Sequence, residues 1–365
     1  MLKHTALHSW HTAAGARLAE FAGWQMPIQY TEGAIAEHHL VRRSMGVFDV
    51  SHMARFSVTG PAATAWLNSM VTADTSAVAK HGSTYALLCK PDGGVVDDLF
   101  LYRLADQWLI VANAANEEKD FAWLEDHLPD EGVDIRNSSE SFAMFAVQGP
   151  NAVTVIDELC DGAATATERF FATQVSLAGV ELTLGRTGYT GEDGVELFVP
   201  NGQAQRVWTA ILDQAKIRGV EAGPVGLAAR DSLRFEPGFP LYGHELTEEI
   251  TPVEARLTWA CAFQTPFIGR DAILERKETG AQKRLATIRM VDRGVPRQGC
   301  HVIADGQTVG HVVSGMYAPT VDSYCANVFL LPHLAKSGTV VEVDIRGNKK
   351  RAEVVKRPLY TPAYR

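Results

Sequence analysis

The sequence predicts an α+β body followed by an all-β C-terminal domain. Three observations carry this. Short apolar runs alternate with helical spacing over the first 275 or so residues, a polar charged stretch interrupts the chain near 275–283, and beyond it nearly every segment has strand character. In the body, residues 85–89, 97–103 and 108–112 form apolar strands joined by Gly and Asp turns. Asn116-Glu-Glu-Lys follows, then Phe121, Leu124 and Leu128 at helical spacing. Asn116 is the expected N-cap, and the two glutamates suit the positive end of the helix dipole. The pattern recurs where a strand at 195–199 leads through Pro200-Asn201-Gly202 into a helix carrying Val207, Ile211 and Ala215, stopped by Gly219. After the polar stretch, strands are expected at 285–290, 301–304, 308–313, 325–331 and 340–345. Asp305-Gly306 suits a two-residue hairpin turn, since both positions tolerate positive φ. Five or six short strands in such a length make a small barrel or sandwich.

Composition narrows the function. Of 365 residues, 34 are Lys or Arg and 43 are Asp or Glu, a net charge of −9 that repels phosphate backbones and argues against nucleic acid as a partner. Five scattered cysteines form no C-x-x-C pair, against a disulfide framework or thiolate metal site. The first thirty residues lack the apolar core of a signal peptide, and no run reaches the ~18–20 apolar residues of a membrane span. A cytoplasmic protein without membrane association is expected.

Three stretches can carry chemistry. Gly185-Arg-Thr-Gly-Tyr-Thr-Gly-Glu-Asp-Gly-Val-Glu196 places four glycines where backbone can pass close to a ligand, yet lacks the dinucleotide-binding spacing. It reads equally as a Gly-rich hairpin with exposed acids. Glu196 opens a strand and either faces solvent or points into a pocket as an acceptor of two N–H groups. In Gly93-Gly-Val-Val-Asp97-Asp98, strand alternation lets at most one of the two aspartates address a given pocket; turn-capping aspartates are the bland alternative. In Gly226-Leu-Ala-Ala-Arg230-Asp231-Ser-Leu-Arg234, the arginines share a helix face, and a solvated salt-bridge stripe with Asp231 and Glu236 is the simplest reading. His4, His8 and His11 read as a surface trio. His38 and His39 point to different sides of a helix, and His52 has no partner at ligand spacing and reads as easily as a hydrogen-bonded core histidine, so no metal site is assigned.

These stretches, with Phe21-Ala-Gly-Trp24, Glu37-His-His39, Gly46-Val-Phe-Asp-Val-Ser-His-Met53, Val147-Gln-Gly-Pro150, Leu241-Tyr-Gly243, Phe267-Ile-Gly-Arg270 and Ser314-Gly315, resemble the glycine cleavage T-protein (aminomethyltransferase) family, in family order over essentially the whole chain. The resemblance implies a three-domain cloverleaf. Residues 1–278 would form a folate-binding body of two interleaved α+β subdomains, and 283–362 a β-barrel. It also implies a reaction: ammonia is released from the aminomethyl-lipoyl arm of the H-protein, and the one-carbon unit passes to tetrahydrofolate. Asp97 matches the catalytic aspartate and Glu196 the pterin-binding glutamate, whose two oxygens can accept two donors in parallel. Arg230 and Tyr364 match ligand-binding positions, and Tyr85, Asn113, Tyr189 and Met53 fall in segments that line the cavity. Asn116-Glu117 departs from relatives that carry Thr-Arg. Two other readings are a tetrahydrofolate-dependent demethylase, which would lose parts of these motifs, and a folate-binding scaffold, which would not need Asp97. Finally, residues 341–365 hold seven Lys/Arg against three acids, either a solvated barrel edge or a surface that steers an acidic H-protein.

Overall fold

The structure, a computed structural model, describes residues 1–362. A six-stranded sheet runs in the order Ala172–Leu177, Val180–Gly185, Gly194–Pro200, Phe142–Gln148, Met45–Asp49 and Ala222–Pro224, antiparallel except for the last pair. A five-stranded sheet is ordered Ser83–Cys89, Val95–Arg103, Trp108–Ala112, Ala54–Thr59 and Asp134–Asn137. The second sheet is thus made from chain lying between two neighbouring strands of the first. The two body sheets are interleaved in sequence.

Period-two alternation explains how they stack. Phe145, Val147, Leu197 and Val199 face the helices Ala152–Asp157 and Ala204–Ile217, whereas Phe48, Met144 and Phe198 meet Tyr102, Leu109 and Val111 of the other sheet. The far side of the five-stranded sheet, with Leu99, Leu101 and Ile110, is covered by helices Ala63–Met70 and Glu117–Glu125. Because both faces are covered, the strands Met45–Asp49 and Trp108–Ala112 are buried at every position.

The C-terminal strands close into a six-stranded barrel, with Asn348–Val355 joining the five expected strands. Asp305 and Gly306 take φ of +50° and +78°, the turn expected of them. Helix Arg270–Thr279 fills the first half of the polar run 275–283; its charges are the exposed side of a helix, and the chain leaves the body only at 280–283. The barrel rests on the body through Leu285, Val313 and Phe329, packed with Leu87, Leu246, Ile250 and Phe267. Among the described residues no helix is long and apolar enough to cross a membrane.

Candidate active site between the two sheets

On the strand Val95–Arg103, Asp97 shares the parity of Leu99 and Leu101, which face the helices, while Asp98 shares that of Tyr102, which faces the other sheet. The aspartates therefore part. Asp97 is 0% exposed and accepts three hydrogen bonds: from the Asn113 backbone N–H (3.1 Å) and Nδ2 (2.9 Å), and from Asn116 Nδ2 (2.7 Å). Asn116 does stand at the N-cap of its helix, but its amide goes to Asp97 and caps nothing. Asp98 is half-buried on the inter-sheet side and accepts from Tyr85 Oη (3.1 Å) and Asn113 Nδ2 (2.8 Å). Burial, and then the neighbouring Asp97 charge, push its carboxyl up to about 7.

Glu196, 8% exposed, faces the same space from the six-stranded sheet, since Phe198 two residues on packs between the sheets. Its Oε2 accepts from Tyr102 Oη (2.7 Å) and Thr187 Oγ1 (2.6 Å), and among the described residues nothing donates to Oε1. Two hydroxyls thus fix the carboxylate and leave one oxygen for a ligand. The exposed-acid reading of Glu196 is excluded.

The Gly-rich loop closes over this space because Gln148 pins it. Gln148 Nε2 donates to the carbonyls of Thr187 (3.1 Å) and Val195 (3.3 Å), and Thr190 Oγ1 donates to Gln148 Oε1 (3.0 Å). A Cβ on Gly188 would lie 1.9 Å from Gln148 Oε1, so only glycine passes there. Tyr189, presented by this loop, donates its hydroxyl to the Pro240 carbonyl and stacks on Phe239 at 5.8 Å. Arg230, on helix Leu227–Phe235, lies 4.7 Å over the Tyr189 ring, and among the described residues its buried Nη1 has no hydrogen-bond partner. Burial lowers its pKa, offset in part by Tyr189 and Glu196.

Tyr85, Asp98, Asn113, Tyr189 and Arg230 are each half-buried although they sit among core strands and helices, and the space they share between the sheets is the candidate recess. Met53, after the strand Met45–Asp49, is half-buried against the cluster that contains Val41, Phe48 and Leu233. Trp259, 70% exposed and stacked on Tyr85 at 5.6 Å, stands beside that ring; one Trp in the short turn Thr258–Ala260 offers no spacing by which to find it. Tyr364 lies outside the described residues.

Several expectations fail here. Arg230 and Arg234 form no solvated stripe: Arg234 is 1% exposed and pairs with Glu245 (2.9 Å) and Asp231 (2.8 Å), while Glu236 binds Arg42 (2.8 Å). His11 is not at the surface but buried, between Tyr30 Oη (2.8 Å) and Asp49 Oδ2 (2.9 Å). His52 is the core histidine that the sequence allows, except that among the described residues its Nδ1 has no hydrogen-bond partner; burial first, then Arg230, hold it down at about 3. Among the described residues no group of three or more His, Cys, Asp or Glu is placed to hold a metal.

Comparison with known proteins bears on the whole chain. Residues 7–265 match the GCVT N-terminal domain and 283–361 the glycine cleavage T-protein C-terminal barrel domain. Aminomethyltransferases of Herpetosiphon aurantiacus and Geobacillus kaustophilus are each 43% identical over 367 residues, covering 100% of both chains, and that of Desulforamulus reducens is 42% identical over 98% of each. The crystal structure of glycine cleavage system aminomethyltransferase T from Bartonella henselae superposes with a TM-score of 0.92 at 32% identity, covering 99% of each chain. With both family models matched in order and such relatives aligned end to end, the chain belongs to the glycine cleavage T-protein family of aminomethyltransferases.

Proposed function

We propose that this aminomethyltransferase binds tetrahydrofolate in the inter-sheet recess and takes its one-carbon unit from the aminomethyl-lipoyl arm of an H-protein, in the cytoplasm. The observation that carries the reading is Glu196, with Oε2 fixed by two hydroxyls and Oε1 free on the sheet face that Asp98 also addresses. A free carboxylate oxygen suits the N–H edge of a pterin, and the unpartnered Nη1 of Arg230 suits a ligand acceptor. The folate supplies the nitrogens that receive the carbon.

The resemblance puts the reacting carboxylate at Asp97. Strand parity and the complete burial of Asp97 favour moving it one residue, to the half-buried Asp98, with Asp97 behind it. A carboxyl near neutral pKa can take the proton that a folate nitrogen sheds as its new C–N bond forms, and its charge stabilises the cationic carbon on the way. Tyr85 holds Asp98 from one side and Asn113 from the other. Tyr189, Arg230 and Met53 would shape the walls.

The test is turnover with lipoylated H-protein and tetrahydrofolate, set against simple methyl donors. Methylenetetrahydrofolate formed only with the H-protein supports the reading, and demethylation of the small donors would replace it. Parallel Asp97→Asn and Asp98→Asn variants decide the carboxylate, the larger loss of kcat at equal stability marking the reacting one.

A further inference from the structure

Behind the recess, Asp120 of helix Glu117–Glu125 is 0% exposed, and neither of its carboxyl oxygens accepts a hydrogen bond from any described N–H or O–H group. Asn116, four residues earlier at the start of the same helix, donates to Asp97 (2.7 Å), and Asp97 has the strand parity of the residues that face this helix, so the Asp120 carboxyl comes beside that of Asp97. Two carboxyls can bond to each other only through a proton on one of them, and two adjacent buried anions are not tolerated. Which one holds it follows from the donors around each. Asp97 receives three N–H groups, which favour its ionised form, and Asp120 receives none.

We propose that Asp120 is a positioning residue for the reacting carboxylate: it holds the proton of the pair, donates it in a hydrogen bond to Asp97, and so keeps Asp97 a fixed anion behind Asp98. The Asn113 amide couples that anion to the recess, since its Nδ2 donates both to Asp97 Oδ1 (2.9 Å) and to Asp98 Oδ1 (2.8 Å). The inference rests on Asp98 being the reacting group.

The remaining charges do not offset the cluster. Lys119, the neighbouring cation, is turned to the Val96 carbonyl (2.6 Å) and Tyr242 Oη (2.9 Å), with Glu248 at 3.7 Å. From the recess side Asp98 faces Tyr85 and Tyr189, with Arg230 beyond on the Tyr189 ring. Burial, then the Asp97 charge, hold Asp120 at about 11, in accord with a proton kept through the working range.

Two readouts test this on the full chain. Difference infrared spectroscopy at pH 9, without substrate, should show the carbonyl stretch of a protonated carboxylic acid; it should persist in Asp98→Asn and disappear in Asp120→Asn. In the pH profile of kcat, Asp97→Asn removes the anion behind Asp98, and the acid limb should move down by about one unit. Asp120→Asn keeps a neutral donor, so kcat should fall only about threefold and the limb stay within about 0.3 unit, whereas Asp120→Ala should cost tenfold or more. A limb that shifts in Asp120→Asn as far as in Asp97→Asn would show that Asp120 carries the charge and overturn the proposal, as would the absence of the protonated-acid band in the parent. The infrared arm separates the two readings. A band lost with normal folate chemistry sinks only this inference, and a band present without folate chemistry sinks only the proposed function.

Discussion

Two of the groups of buried carboxylates in this molecule differ in what surrounds them. At the seam between body and barrel every acid meets a cation. Glu236 binds Arg42 (2.8 Å), which also reaches Glu192 (3.1 Å), and Glu245 takes Arg234 (2.9 Å) on one oxygen and Asn327 (2.8 Å) on the other. His38 joins in, bridging Ser232 and Thr320 at 2.8 and 2.9 Å. Under the recess, by contrast, Asp97, Asp98 and Asp120 crowd together with amides and one tyrosine hydroxyl for partners. Burial works against ionisation in both places. At the seam the cation wins, and Glu236 is held at about 2 by His38, Thr320 and Arg42 despite its burial; in the cluster nothing opposes burial strongly enough, and Asp98 rises to about 7. Neutralised buried charge holds two bodies together, and crowded like charge raises the proton affinity of a carboxyl.

The largest expected effect comes from breaking the second set. Asp98→Asn should lower kcat by about 10²-fold or more. The same change should stabilise the fold in a pH-dependent way. Between its ordinary value of 3.8 and about 7, native Asp98 keeps a proton that the unfolded chain has released, so stability falls as pH rises through that window. Asp98→Asn removes this slope, and thermal melts should show its advantage over the parent above pH 7 and little of it below about pH 4. No stability gain at pH 8 would contradict the crowding.

Breaking the seam should act on stability with the opposite sign. Glu236→Gln leaves the buried Arg42 with one of its two carboxylates and should cost roughly 3–5 kcal/mol in denaturant unfolding. In the parent, Glu236 contributes stability above its ordinary 4.5, lost as pH falls toward about 2. Acidification should therefore shrink the difference between parent and Glu236→Gln, and a difference that stays constant down to pH 3 would sink the assignment.

Glu196 sharpens the contrast, being a buried carboxylate held by hydroxyls with an oxygen to spare. Glu196→Gln should weaken tetrahydrofolate binding by about 1.5–3 kcal/mol in calorimetric titration, and unchanged affinity would remove it from the ligand site. The smallest effect belongs to the barrel edge. Arg351 is tied to Asp292 (3.0 Å), and Asp344 and Glu342 stand opposite Lys349 and Arg351 across the strands, so little of the positive charge is free. Changing Lys349, Lys350 and Arg351 together to Glu should raise the KM for H-protein at low salt by a few-fold only, since exposed charges are screened. An unaltered KM there leaves the edge an ordinary barrel surface.

Much of this architecture was legible along the chain because it is local. Alternation marks strands, Asp305-Gly306 marks a hairpin, and the parity rule already states that Asp97 and Asp98 cannot share a pocket. The same rule could have chosen between them had the faces of the sheet been known. Asn116 shows the limit of local reasoning: its place before the helix is a capping place, but its amide meets Asp97, 19 residues earlier. Arg234 reads as half of a surface stripe until Glu245 and Ser314 surround it, and His11 reads as exposed until Asp49 and Tyr30 close on it.

The sequence by itself determined the α+β body and all-β end, the ordered motifs of the family, and the residue types that the chemistry needs, since periodicity and spacing are properties of neighbouring residues. Only the tertiary structure decided which aspartate meets the recess, that Asp120 lies against Asp97, and that one set of acids is neutralised while the other is not. Those outcomes depend on burial and on partners many residues away, and the proton affinity of a carboxyl is set by the donors, cations and solvent that packing brings to it.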